Sequence, residues 1–144
     1  MKKKLILKRT LFYIISFTWG ILMTIPGALV ILASLPFKRV RVYHGRPYAI
    51  WGRYWGGLEL GCFFICCANA SEHTLAHECG HGLQNCLWGP LMPFVICIPS
   101  AARYWYRELK YYKKGLIPPT KYDSIWFEGQ ATSWGEKYVK TDLV

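Results

Sequence analysis

Acidic residues are scarce in this chain. Eight Asp and Glu stand against 18 Lys and Arg, a formal net charge of +10, and charged residues of both signs make up only 18%. Soluble domains usually carry more charge, so part of the chain is expected in lipid or in a very apolar core. There is no RNA-binding or helix-turn-helix signature, which removes the usual support for a nucleic-acid partner despite the basic balance. Internal repeats and low-complexity tracts are missing too. The six cysteines (Cys62, Cys66, Cys67, Cys79, Cys86, Cys97) form no secreted disulfide pattern, and most read as small buried hydrophobes. With 144 residues the chain has room for one compact domain.

What is there instead is apolar. Hydrophobic residues make up 53% and aromatics 17%, and residues 11–35 contain no charge at all. That run is long enough to cross the roughly 30 Å hydrocarbon core once, and too long for the core of a signal peptide. Residues 1–37 therefore read as a basic N-terminus with a retained membrane anchor. Pro26 and Gly27 leave two forms open, a kinked span or a re-entrant hairpin. Lys2, Lys3, Lys4, Lys8 and Arg9 precede the run, and Lys38, Arg39, Arg41 and Arg46 follow it. With both flanks basic, the positive-inside rule does not choose between the forms. The expected partner is membrane lipid, with no nucleic acid.

Residues 38–144 read as a small α+β body. Residues 42–51 and 58–66 are rich in aromatic and β-branched residues broken by glycine turns, and predict two or three short strands. Ser71 caps a helix over 72–87, with Glu72 at its positive end and a stop at Gly89 and Pro90. Residues 91–98 are apolar but too short to span a bilayer. A further helix is expected over 101–114. Thr120 with Asp123 suggests the cap of a last helix reaching Tyr138.

The chemistry concentrates in His77-Glu78-Cys79-Gly80-His81, an HExxH sequence. Residues four apart lie one turn apart on one helix face, so two imidazoles can reach one ion. Glu78 is rotated about 100° from His77, which lets its carboxylate reach a water on the ion without ligating the ion. Zinc lowers the pKa of such a water towards about 7, and Glu78 can take its proton. The competing reading is an ordinary buried helix that carries two histidines. Its cap and its sharp stop favour the metal helix.

A catalytic zinc needs a third protein ligand. His73 lies one turn before His77, but it is two turns, about 12 Å, from His81. That leaves His73 as an outer residue or a surface histidine. His44 lies in the turn-rich strand region and is a weaker candidate. Glu128 is the better one. With Ala131, Thr132 and Gly135 it shares a helix face of small residues, flanked by Trp126, Phe127 and Trp134, which allows close approach to another backbone. Arg103, Tyr104, Tyr106 and Tyr122 are candidate donors to a developing oxyanion.

An HExxH helix followed by a helix bearing Glu128-Gly-Gln-Ala131 resembles the gluzincin zinc metallopeptidases, and the ExxA spacing is similar to their membrane-bound, HtpX-like branch. The resemblance covers about 70 residues, 72–138. It implies a minimal zincin-like body, one Zn2+ held by His77, His81 and Glu128, a base at Glu78, and a peptide or protein substrate. Thr132 stands where such families often place an aspartate that orients a ligating histidine, and offers a weaker hydrogen bond. Gln84 and Leu87 stand where a metzincin would have its glycine and third histidine, so that class is excluded. The expected function is hydrolysis of peptide bonds by Glu78-assisted attack of zinc-bound water. The expected place is a bacterial plasma membrane, with the catalytic part on the cytoplasmic side. A small body leaves room for a partner protein or a second copy to complete the site. The alternatives are a non-catalytic membrane protein with a structural zinc, which has no need of Glu78, and a basic membrane adaptor that binds no metal.

Overall fold

The computed structural model describes residues 2–140. Its N-terminal apolar stretch forms two helices, α1 (Lys2–Phe17) and α2 (Ile21–Ser34), bent by 99° at the intervening turn. The break therefore falls two turns before Pro26. Gly20 takes it because its carbonyl accepts a bond from the Asn85 amide at 3.3 Å, and a Cβ there would collide with that amide. Pro26 stays inside α2, and the neighbouring Gly27 serves close packing, since a Cβ on it would strike the Leu60 backbone. Among the described residues no single helix is long and apolar enough to cross a membrane, although α1 and α2 pass that test as a bent pair. Alone, the 14 residues of α2 reach only about 21 Å.

Four strands follow: β1 (Val40–Tyr43), β2 (Arg46–Ile50), β3 (Gly57–Leu60) and β4 (Phe63–Cys66). They form one sheet in the order β1-β2-β4-β3, with antiparallel hairpins β1–β2 and β3–β4 joined through a parallel β2–β4 pair. The two-residue turn His44-Gly45 has positive φ at both positions, the conformation that suits the twist of a tight hairpin. The chain continues in α3 (Glu72–Trp88), a 3-10 turn (Gly89–Leu91), a π-helical turn (Pro93–Cys97), α4 (Ile98–Lys110) and α5 (Trp126–Lys140). The fold is thus α+β, as composition and turn signals predict.

The sheet has four strands where composition suggested two or three, because each of the two expected segments folds as a hairpin, and two helix boundaries also differ. α4 starts at Ile98 and ends at Lys110, with residues 112–114 tightening into a separate 3-10 turn. The last helix begins at Trp126, because Tyr122–Ser124 forms a 3-10 turn and Ile125 is extended; Thr120 caps nothing.

Phe12 of α1, Cys62, Phe64 and Cys66 of the sheet region, Cys79 of α3 and Tyr138 of α5 build the main core. All six cysteines are free, four of them buried. A second cluster joins Met23 of α2 to Met92, Ile96 and Phe127. Arg46 is wholly buried between the rings of Phe12 and Phe64, and donates to the carbonyls of Gly61, Cys62, Glu78 and Cys79. A buried guanidinium is tolerated only with such partners. It ties the sheet to the middle of α3, and Gly82 leaves the space it occupies.

Candidate metal centre

α3 forms where its signals place it: Ser71 Oγ accepts the Thr74 amide at 3.2 Å, and Gly89, at φ 50°, ends the helix before Pro90. What makes a site of it is the crossing with α5. A Cβ on Gly80 would fall on the Ala131 carbonyl, and one on Gly135 on the Ala76 carbonyl. Each helix therefore contributes a glycine at the point where the other's backbone touches it. At that separation Glu128, fully buried near the start of α5, meets the histidine face of α3.

Glu128 Oε2 lies 3.0 Å from His77 Nε2 and 3.2 Å from His81 Nε2, and the two imidazole rings stand 4.6 Å apart at 90°. The ligand atoms of all three residues lie within 4.8 Å of one another, an arrangement that could hold a metal ion. Metal–ligand bonds of about 2.0–2.1 Å in a tetrahedron put ligand atoms about 3.3 Å apart, close to these separations. The second oxygen of Glu128 is buried with no hydrogen-bond partner. Two imidazoles and one buried carboxylate are a donor set that could hold a metal ion.

Each imidazole is held from behind. His77 Nδ1 lies 2.9 Å from Thr132 Oγ1, and His81 Nδ1 lies 2.7 Å from Gln84 Oε1. With the hydrogen on Nδ1, both rings donate backwards and turn Nε2 to the common point. Gln84 is itself fixed, because its amide nitrogen donates to the Phe127 carbonyl and to Gln130 Oε1, each at 2.9 Å. Thr132 thus occupies its expected outer position. Gln84 and Gln130 were not expected; the signal for Gln84 was its place one turn after His81, on the same face.

Electrostatics follow from burial and company. Burial would raise Glu128, but the contacts with His77 and His81 outweigh it and hold the carboxyl well below its usual range. Burial alone would lower His81; Glu128 and Glu78 reverse this and carry it up to about 9. Glu78 is pushed up by burial, against the pull of His81 and His77. Its Oε2 has no hydrogen-bond partner, and its other oxygen faces Gly57 at the start of β3, where a Cβ would not fit.

The remaining candidates separate. Tyr122 comes to the site, its ring centroid 6.5 Å from that of His77. Arg103 supports it, with Nε donating to the Tyr122 carbonyl at 2.9 Å and the guanidinium over the ring. Tyr104 packs on Trp105, and Tyr106 is exposed beside Lys110. His73 is exposed and 3.9 Å from Glu136, outside the ligand cluster. His44 sits in the β1–β2 turn with its ring against Tyr43.

The fold and site thus define an α+β protein with a two-histidine, one-glutamate group on two crossing helices. No protein-family model, curated protein or solved structure matches the chain.

Proposed function

We propose that the chain is a membrane-associated zinc metallopeptidase. The observation that carries this reading is Glu78: a carboxylate beside the three candidate ligands, buried, with one oxygen lacking any partner. A structural metal site gains nothing from such a group and bears the cost of burying it. A general base needs that placement, since a raised pKa and an unoccupied oxygen suit it to accept a proton.

His77, His81 and Glu128 would hold the ion. When bound, it supplies Lewis acidity and brings the pKa of a water towards neutrality. Glu78 takes the proton of the attacking water and returns it to the leaving amine nitrogen. Tyr122, pushed up to about 12 by burial, stays protonated and is the hydroxyl donor best placed to meet the oxyanion of the carbonyl under attack. The apolar exposure of α1 and α2, including Leu11, Ile14, Leu22 and Leu29, supports bilayer association through a re-entrant pair.

Metal analysis together with cleavage of a fluorogenic peptide library tests the reading. The expected result is about one zinc per chain, lost in His77→Ala. Glu78→Gln should keep the zinc and lose cleavage by about 100-fold or more. Unchanged cleavage in Glu78→Gln, or no zinc in the intact chain, would overturn it.

A further inference from the structure

α4 is inside out. Ile98, Ala101, Ala102, Trp105 and Leu109 recur at helical spacing and form one apolar stripe, the stripe that a surface helix ordinarily turns to the core. Here it faces outward: Trp105 is 56% and Leu109 54% exposed, while Arg107, on the opposite face, is 5% exposed. The inner face is occupied by polar contacts, with Arg103 on the carbonyls of Lys121 and Tyr122 and both guanidinium groups over the Tyr122 ring.

The stripe does not stand alone. Leu91 and Phe94, just before it, are exposed, as are Trp19 in the α1–α2 turn and Leu22 and Ile25 of α2. The two groups adjoin, because Trp19 Nε1 donates to the Leu87 carbonyl at 3.4 Å and Met23 packs on the Met92–Ile96 cluster. Lys110, Lys113, Lys114 and Lys121, all exposed, follow the stripe, with Glu108 as the one acidic residue in residues 98–121. Apolar side chains on one face with lysines beside them are the pattern that seats a helix at an anionic membrane surface.

We propose that α4 lies in the headgroup–acyl boundary of an anionic phospholipid leaflet. Its Trp105–Leu109 stripe enters the leaflet, and its lysines meet the phosphates. With α1 and α2 bent back beside it, the chain occupies one leaflet by two adjoining apolar faces. Because the inner face of α4 carries Arg103 on Tyr122, next to His77, this seating puts the metal centre against the membrane surface. Its substrates are then peptide segments that emerge at that surface, a corollary that rests on the peptidase reading; the lipid contact itself does not.

Tryptophan quenching by lipids brominated on the acyl chain tests the contact, using the full chain reconstituted in vesicles. Emission of Trp105→Phe, subtracted from that of the intact chain, isolates Trp105. In vesicles containing phosphatidylglycerol this share should be blue-shifted and quenched. Replacing Lys110, Lys113 and Lys114 by Gln should reduce the quenching to less than about half, as should vesicles of phosphatidylcholine alone. His77→Ala, which removes the metal site, should quench like the intact chain, so failure of the peptidase reading leaves this result standing. Unquenched Trp105 in vesicles that retain the chain would overturn the proposal. So would a Leu109→Glu variant that turns a dimer into a monomer when Trp105 of the intact dimer is not quenched, since α4 would then cover a second copy.

Discussion

Thr132 Oγ1 stands 2.9 Å behind His77 Nδ1 while Nε2 of the same ring faces Glu128 at 3.0 Å. One hydroxyl on α5 therefore holds the angle of a ring on α3, across the same crossing that delivers Glu128. Outer partners of this kind are worth about 10–100-fold in metal affinity. Thr132→Val should weaken zinc by about that factor in a competition titration with a chelating dye, and Thr132→Ser should restore most of it. Equal affinity for Thr132→Val and the intact chain would mean that the ring is held by packing alone.

Gln84 does the same for His81, and adds a tie to the Phe127 carbonyl and Gln130. Gln84→Leu keeps the volume and removes three hydrogen bonds, leaving buried groups unpaired. Zinc affinity should fall together with thermal stability, the latter by about 2–4 kcal/mol. Gln130→Ala, which removes one of those bonds, should do markedly less on both measurements.

The proposed mechanism gives the hydroxyl of Tyr122 to the transition state and leaves its ring to packing. Tyr122→Phe should lower kcat by about 100-fold with zinc content unchanged. Arg103→Ala, acting through the position of Tyr122, should fall between that variant and the intact chain. A fall in zinc binding in Tyr122→Phe would point to a structural part for the hydroxyl.

Glu59 gives the fold its pH signature. Burial pushes this β3 carboxyl up to about 8 from 4.5, in spite of Arg46 and His81 nearby. One oxygen accepts the Gly61 amide and the other has no partner. A raised folded-state pKa means that the native state holds the proton more tightly than the unfolded chain. The stabilisation is full below about 4.5, falls as pH rises towards 8, and levels off above that. Melting curves at pH 5, 7 and 9 in one detergent should show Tm falling. Glu59→Gln should flatten that part of the dependence. A parallel fall in both proteins would assign it to other groups.

Close contact between α3 and α5 requires the absence of two side chains. Gly80→Ala and Gly135→Ala each put a methyl group on a backbone carbonyl, which no rotamer change relieves. Each should cost about 1–3 kcal/mol or more and draw Glu128 away from the imidazoles, so zinc affinity and Tm fall together. Gly115→Ala, where a Cβ meets nothing, is the control for helix-remote glycines and should leave zinc binding intact.

The histidine pair and Glu78 were legible because helix period alone puts them on one turn, and Ser71, Gly89 and Pro90 mark that turn as helical. Glu128 was legible for a subtler reason: Ala131 and Gly135 announce a face made for backbone contact, and a carboxylate on such a face has little reason to be there without a partner. Arg46 was not. Among the basic residues after the apolar run it looks like a flanking charge, and only the fold reveals a guanidinium that bonds four carbonyls from two segments. Glu59 was hidden similarly, since its burial depends on sheet order, which no local pattern encodes. The break at Gly20 was obscured by the stronger punctuation of Pro26 and Gly27. α4 was visible as a helix, but its inverted orientation depends on where Tyr122 lies, and that is a long-range matter.

The crossing of α3 with α5 also sets an order of events. Both histidines and Glu78 are synthesised some 50 residues before Glu128. A nascent chain that has reached α4 carries the two imidazoles and Glu78, but lacks the Glu128 carboxylate that meets them. The glycine contacts that hold α5 in place arise only when Ala131 and Gly135 have left the ribosome. The three-residue group that could hold a metal ion therefore comes together late and all at once, after the apolar helices of the N-terminal half have been made. A chain that fails to seat its last helix leaves the two histidines without Glu128.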